Sequence, residues 1–259
     1  NIPFGVREFP MGAIMNGISL YGGLFPFGGT FLVFSDYVRS AIRLSAIQKL
    51  HVMYEFTHDS IFVGEDGPTH QPVEHAMSLR LIPNLLVFRP ADAIETHFCF
   101  ETIMEKNTNP SAILLTRQKL PVSAVDKKII RKGVKKGAYV VQDFDSPDLV
   151  IFTTGSELHL ALSIAKDMNH SVKIVSIPCW ELFEKQSDSY KNEILTLNCK
   201  KRISIEAGVT LGWEKFVGQN GLKIGIDDFG LSAPGVDVAM QFGFTKEAIQ
   251  NKIEEYFNV

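Results

Sequence analysis

The chain has 259 residues, of which 45% are hydrophobic, which is enough for one large or two ordinary domains with packed cores. A net charge of −3 gives no electrostatic case for nucleic acid or an anionic membrane surface, and no apolar run is long enough to span a bilayer. The three cysteines form no Cys-x-x-Cys pair, which favours free thiols in a reducing cytosol over disulfides or a zinc site.

The first predicted helix starts near Pro10, because proline fits only the first turn of a helix. Apolar residues with helical spacing follow and form its predicted buried face: Met11, Ile14, Met15 and Ile18. Glu8 therefore lies at or just before the helix N-terminus, where the helix dipole favours an acid. Composition alone favours this helix-start role for Glu8.

Residues 30–35 are predicted to form a strand that leads into a helix from about 36 to 48. Three aromatic residues cluster at that transition, namely Phe31, Phe34 and Tyr37. Packing in a core is the default interpretation of such a cluster.

The next strand, 51–56, is followed by a polar loop, 57–72, that contains His58, Asp66 and His70. Open α/β sheets bind their ligands in loops at the carboxyl ends of strands. Prolines stiffen this loop, which suits a site for a polar, hydroxyl-bearing ligand. Polar residues are also what solvated loops contain, so composition supports both interpretations equally.

A helix from about 72 to 81, a strand at 85–88 and a helix from 93 to about 104 come next. The following strand, 112–115, ends just before Arg117, which places this cation at the same sheet edge as His58. Arg117 suits an anion clamp there, although a surface salt bridge is the default for an arginine in that position.

Residues 121–147 separate two α/β patterns. The basic residues between 127 and 136 have no interleaved aromatics, which favours a solvated linker over nucleic-acid binding. Strands are predicted again at 149–153, 172–177, 202–206 and 223–226, and a final helix runs from 245 to about 257. The alternation predicts two three-layer α/β/α units with mostly parallel sheets, over 1–120 and 148–259, joined by the linker 121–147.

The loop also contains two specific sequence motifs. The sequences Thr-His-Asp-Ser-Ile at 57–61 and Gly-Glu-Asp-Gly-Pro-Thr-His-Gln-Pro at 64–72 resemble the transketolase signature of the pyrimidine-binding domain. The resemblance extends over essentially the whole chain. It implies a cytoplasmic, homodimeric enzyme of the pentose phosphate pathway. Such an enzyme transfers a two-carbon ketol unit from a ketose phosphate to an aldose phosphate with thiamine diphosphate.

The resemblance also implies roles for individual residues. Glu8 matches the acid that bonds N1′ of the cofactor's aminopyrimidine, and Phe31, Phe34 and Tyr37 match the aromatics around that ring. The matches to residues of the substrate channel are His58, Asp66, His70 and Arg117. Among these, Arg117 and His58 would bind the phosphate and Asp66 a hydroxyl. His70 would polarise the carbonyl or move a proton.

In transketolases the diphosphate and a divalent cation, Mg²⁺ or Ca²⁺, are held by an N-terminal domain with a Gly-Asp-Gly motif. The segment 64–67 of this chain, Gly-Glu-Asp-Gly, resembles that motif only superficially. The resemblance therefore implies a C-terminal fragment or subunit that needs its N-terminal half and a second copy. We expect it to hold no metal and to be inactive alone.

Other assignments stay open. Residues 57–61 and Pro72 favour transketolase over deoxyxylulose phosphate synthase. The same residues do not exclude dihydroxyacetone synthase. The absence of the diphosphate-binding half is also compatible with a non-catalytic dimerisation or regulatory module.

Overall fold

The computed structural model describes residues 1–105 and 108–258, and the first part of the chain forms a four-stranded sheet. Its strands are all parallel, in the order β1-β2-β4-β3. They are β1 Phe27–Phe31, β2 Met53–Thr57, β3 Leu86–Phe88 and β4 Ser111–Leu115. The helices of this unit are α1 Glu8–Tyr21, α2 Ser35–Gln48, α3 His75–Arg80 and α4 Ala93–Glu105.

Strands β2, β3 and β4 of this first unit are buried on both faces, whereas β1 is exposed in part. Tyr54 and Phe56 pack with the side chains of α1 and α2, whereas Met53 and Ile113 pack on the opposite face with those of α4. Successive residues of a strand point to opposite faces, so a strand covered on both sides is apolar almost throughout. This explains why short apolar runs in the sequence predicted the positions of these strands.

The second unit holds a five-stranded sheet in the order β5-β7-β6-β8-β9, and its pairs are parallel except β5 with β7. The strands are β5 Tyr139–Gln142, β6 Leu149–Thr153, β7 Val172–Ser176, β8 Arg202–Ile205 and β9 Leu222–Ile224. The helices from here on are α5 Lys127–Lys136, α6 Glu157–Asp167, α7 Trp180–Glu184, α8 Asp188–Leu195, α9 Glu214–Val217, α10 Gly235–Gln241 and α11 Lys246–Phe257. The predicted class, two α/β units with mostly parallel sheets, is confirmed.

The segment predicted to be a solvated linker, 121–147, contains both α5 and β5. Ile130 and Val134 are buried together with residues of α4, and Arg131 donates to the carboxylate of Glu101 on that helix. The basic residues of α5 therefore form the outer face of an amphipathic helix. Its buried face has only two large apolar side chains, one turn apart. The sequence pattern of this segment is therefore mainly basic, which is why a linker was predicted.

The connection from α1 to α2 also differs from the prediction. The strand ends at Phe31, and Leu32–Phe34 form one turn of 3₁₀ helix. Gly28 belongs to the strand because α1 packs closely against it, and a Cβ on Gly28 would lie 2.6 Å from the sulfur of Met15. This tertiary contact overrides the low strand propensity of glycine.

The helix predicted from about residue 72 begins three residues later, at His75. None of the helices in the described ranges combines the length and the apolar composition needed to cross a bilayer. The three cysteines, Cys99, Cys179 and Cys199, are buried free thiols.

Candidate functional site

The parallel strands of the first unit end at one edge of the sheet, where an open cleft of about 1000 Å³ lies. Its lining comes from the start of α1 and the residues just before it, from the connection between β1 and the first turn of α2, and from the loop after β2. Six of the side chains singled out from the sequence lie on its wall: Glu8, Phe31, Phe34, Tyr37, Asp66 and His70. The tertiary structure thus gathers residues that are up to 62 positions apart in the chain into one cleft.

Phe34 lies at the centre of the aromatic wall. The centroid of its ring is 5.9 Å from that of Tyr37 and 6.1 Å from that of Phe31, in stacked arrangements. His70 meets Phe34 edge-on at 5.6 Å. Tyr37 is 66% exposed, so its ring is not core filler. Aromatic faces that stay open in a cleft favour the binding of an apolar or aromatic ring.

Glu8 is the first residue of α1 and lies beside this wall, half-buried. Among the described residues, its carboxylate forms no ion pair and no hydrogen bond. The N-terminus of a helix stabilises negative charge through its unpaired N–H groups. The cleft therefore has an available anionic acceptor next to its aromatic surface.

His58 and Arg117 lie beside the cleft and not on its lining. The ring of His58 stacks on Phe31 with centroids 3.7 Å apart, and its Nδ1 lies 2.9 Å from Oγ1 of Thr57. Partial burial lowers the pKa of His58, and the positive charge of the nearby Arg117 lowers it further, while Asp66 opposes both. Arg117 is exposed. The positive charge beside the cleft therefore comes from Arg117, with the His58 imidazole near it.

The backbone of His58 adopts the left-handed conformation, with φ of +62°, which a non-glycine residue rarely takes. Such strain persists only where the surroundings hold it in place. The next residue, Asp59, is only 4% exposed, and its Oδ2 accepts a hydrogen bond of 2.9 Å from Nε of Arg89. The bend thus turns His58 towards the cleft edge and Asp59 into the interior.

Arg89 connects the two units and was not singled out from the sequence. It directly follows β3, is 1% exposed, and its guanidinium also bonds the carboxylate of Glu157 at the start of α6. Glu206, after β8, pairs with Arg80 at 2.9 Å and accepts a hydrogen bond from Trp213. A signal was present, since an arginine directly after a fully apolar strand must find an anionic partner if it is buried.

A second buried polar group lies near the site. His75 is 5% exposed and lies between two carboxylates, with Nε2 3.2 Å from Asp36 Oδ2 and Nδ1 3.7 Å from Glu74 Oε2. The two acids are largely exposed. Only Nε2 is within hydrogen-bond distance of an acid, and Nδ1 has no hydrogen-bond partner among the described residues.

Comparison with known proteins identifies the family of both units. Residues 1–123 match the transketolase pyrimidine binding domain, and residues 137–245 match the transketolase-like C-terminal domain. A transketolase of Staphylococcus aureus (strain MW2) is 49% identical over 257 residues, which are 98% of this chain and 39% of that protein. A transketolase of Aquifex aeolicus is 48% identical over 263 residues, 100% of this chain and 38% of the relative.

Solved structures agree with this result. The transketolase of Leishmania mexicana superposes with a TM-score of 0.92 at 43% identity, over 98% of this chain and 37% of that chain. This chain therefore spans less than half the length of the curated relatives that it matches. This chain therefore belongs to the transketolase family and corresponds to its pyrimidine-binding and C-terminal domains, as the matched domains, the sequence identity and the shared architecture show.

Proposed function

We propose that this chain is the part of a transketolase that binds the aminopyrimidine of thiamine diphosphate and the sugar phosphate substrate. The complete enzyme would transfer a two-carbon ketol unit from a ketose phosphate to an aldose phosphate. The observation that carries the proposal is the single cleft in which an available carboxylate, open aromatic rings and a histidine meet. The family to which the chain belongs supports the same chemistry.

The residues of the cleft fit an aminopyrimidine. Phe34 and Tyr37 offer flat apolar surface, and Glu8 offers an acceptor for a ring N–H. Thiamine diphosphate, when bound, supplies the electron sink that C–C bond cleavage requires. Glu8 would hold a proton on N1′ of the aminopyrimidine. We assign the diphosphate and its divalent cation to the part of the relatives that this chain does not span.

The substrate would lie along the loop after β2. Arg117, with the neighbouring His58, would bind the phosphate, because a guanidinium offers paired donors to a dianion. Asp66 would accept a hydrogen bond from the hydroxyl next to the carbonyl. His70 is held by Thr69, whose Oγ1 lies 2.9 Å from Nδ1, which leaves Nε2 to polarise the carbonyl or move a proton.

The test uses the complete protein that contains this chain, with thiamine diphosphate and Mg²⁺. We expect ketol transfer from xylulose 5-phosphate to ribose 5-phosphate. Formaldehyde should be a poor acceptor. A preference for formaldehyde would contradict the proposal and identify a dihydroxyacetone synthase. The 259-residue chain alone should be inactive, and tight magnesium-dependent cofactor binding in calorimetry would contradict the assignment of the diphosphate.

Glu8→Gln tests the proton-holding role within that enzyme. Glutamine lacks the negative charge that favours a protonated N1′, so exchange of the C2 hydrogen of bound cofactor for deuterium should slow strongly, with substrate binding changed less. Glu65→Gln is the matched control, because Glu65 is an exposed acid of the loop after β2 that does not line the cleft. An unchanged exchange rate would return Glu8 to a helix-start role.

The proposal includes self-association, as the relatives' complete enzymes imply. Large apolar side chains near the end of α1 are 60–93% exposed, namely Leu20, Tyr21, Leu24 and Phe27. Several large exposed apolar side chains so near each other in the chain favour an interface. Sedimentation of the chain over rising concentration should show association, and a monomer at high concentration would contradict this part of the proposal.

A further inference from the structure

The second unit lines none of the cleft among the described residues, yet it contacts the loop that carries three of the proposed substrate side chains. We call residues 57–72 the site loop. It contains one short turn of 3₁₀ helix, Ile61–Val63, and backbone N–H groups of Gly67, His70 and Gln71 close further turns within it. These internal bonds shape the loop but do not attach it to its surroundings, so contacts outside the loop fix where His58, Asp66 and His70 lie relative to the cleft.

The beginning of the site loop is held through Arg89. Nε of Arg89 donates to Asp59, which directly follows His58, and Nη1 donates to the carbonyl of Thr154 at 3.1 Å and to Glu157. Thr154 and Glu157 belong to the second unit. The strained backbone of His58 is thereby anchored across the boundary between the units.

The end of the site loop is held through Gln71, which is 2% exposed and directly follows His70. Its Nε2 donates to the carbonyl of Gly64 at 2.7 Å and to the carbonyl of Leu231, in the second unit, at 2.9 Å. One amide group thus closes the site loop on itself and ties it to the second unit. It spans the segment that contains Asp66.

The surface of the second unit is shaped around this side chain. A Cβ on Gly230 would lie 1.6 Å from Oε1 of Gln71, so only glycine leaves room for the amide. Ser232 Oγ donates to the carbonyl of Glu65 at 2.6 Å, and a Cβ on Gly67 would lie 3.2 Å from Cβ of Ser232. The site loop and the segment 230–235 therefore fit each other closely over several residues.

We propose that Gln71 is a positioning residue, through which the second unit holds Asp66 and His70 at the cleft. This inference rests on the proposed function, because it concerns the placement of the substrate side chains. The cofactor side chains lie outside the site loop: Glu8 on α1, Phe34 on the turn before α2 and Tyr37 in the first turn of α2. Loss of the Gln71 contact should therefore affect substrate chemistry and spare the cofactor.

The experiment compares two variants of the complete enzyme. Gln71→Glu keeps the volume of the side chain but presents acceptors to two carbonyls. Gly230→Ala displaces the Gln71 amide from the other side and changes no residue of the site loop. We expect both to lower kcat/KM for ketol transfer at least ~10-fold, since misplacement by about 1 Å can cost about 100-fold, with the dissociation constant of thiamine diphosphate within about twofold of wild type.

Gly17→Ala is the matched control, because a Cβ at Gly17 on α1 meets nothing within 4 Å. A folded variant with wild-type kcat/KM overturns the positioning role, and so does an equal loss of cofactor affinity. If Gln71→Glu does not fold, Gly230→Ala decides, and failure of both to fold makes the contact a purely structural one. A wild-type enzyme without ketol transfer refutes the proposed function itself, and the positioning role falls with it.

Discussion

Two acid–arginine pairs at the same edge of the first sheet have opposite environments. Asp59 and Asp66 both follow β2, and Arg89 and Arg117 follow the neighbouring strands β3 and β4. Asp59 and Arg89 are bonded to each other and are 4% and 1% exposed, whereas Asp66 and Arg117 are exposed. The same residue types after strands of one sheet thus form an interior ion pair in one case and exposed groups at or beside a cleft in the other.

The difference teaches that pairing, and not residue type, separates a structural charge from a binding charge. Burial by itself would lower the pKa of Arg89, but the carboxylates of Asp59, Glu157 and Glu206 outweigh it and hold that pKa above its ordinary value. At 1% exposure the Arg89 guanidinium is enclosed among these carboxylates and is not open to a ligand in the cleft. Arg117 has lost little hydration and keeps its fork of donors available.

The largest expected effect comes from breaking the interior pair. Arg89→Met leaves Asp59 and Glu157 buried without their cation, and removal of one partner of a buried pair costs about 3–5 kcal/mol. Chemical denaturation of the chain should show this loss in the free energy of unfolding. Arg117→Met is the matched control and should change stability by less than about 0.5 kcal/mol. Equal effects of the two variants would contradict the comparison.

A buried acid without a cation sharpens the comparison through pH. Glu95 on α4 accepts hydrogen bonds from Ser176 and Tyr139 of the second unit, and burial raises its pKa from 4.5 to about 7. Glu206 shows the reverse, since burial would raise its pKa but the charge of Arg80 lowers it below the ordinary value. Between pH 4.5 and 7 the folded state keeps a proton on Glu95 that the unfolded state releases.

The free energy of unfolding should therefore fall as the pH rises through this window, by at most about 3 kcal/mol from Glu95. Glu95→Gln should remove this slope, so that the variant matches wild type near pH 4 and is the more stable protein at pH 8. Urea midpoints at several pH values measure it. Glu65→Gln, at an exposed acid, should keep the wild-type slope. A slope unchanged by Glu95→Gln would refute the prediction.

The smallest effect is the most specific to function. In the complete enzyme, Arg117→Ala should lower kcat/KM about 10- to 100-fold with phosphorylated sugars, because a hydrogen bond to a charged group contributes about 1.5–3 kcal/mol. The effect should nearly vanish with hydroxypyruvate and glycolaldehyde, which carry no phosphate. His58→Ala should show the same bias more weakly. A loss of equal size with both substrate pairs would make Arg117 a structural residue.

Much of the fold could be predicted because its strands are short apolar runs. The segment 149–153 was predicted with the bounds that β6 has in the structure, since a strand buried on both faces is apolar throughout. The sequence motifs of residues 57–72 predicted the family, and the comparisons with known proteins confirm that prediction. The roles of individual residues at the cleft stay predictions, although six of the eight line one cleft.

What the sequence by itself determined were the features that depend on neighbours in the chain: the strands, the helix at Glu8 and the polar loop after β2. The tertiary structure alone decided features that depend on distant partners. β5 forms a strand because it can pair with the edge of β7. α5 packs on α4 because the side chains of Ile130 and Val134 fit there. Asp59 differs from Asp66 only because Arg89, 30 residues further along the chain, meets it in the interior. Sequence spacing carries no information about such a meeting until the chain has folded.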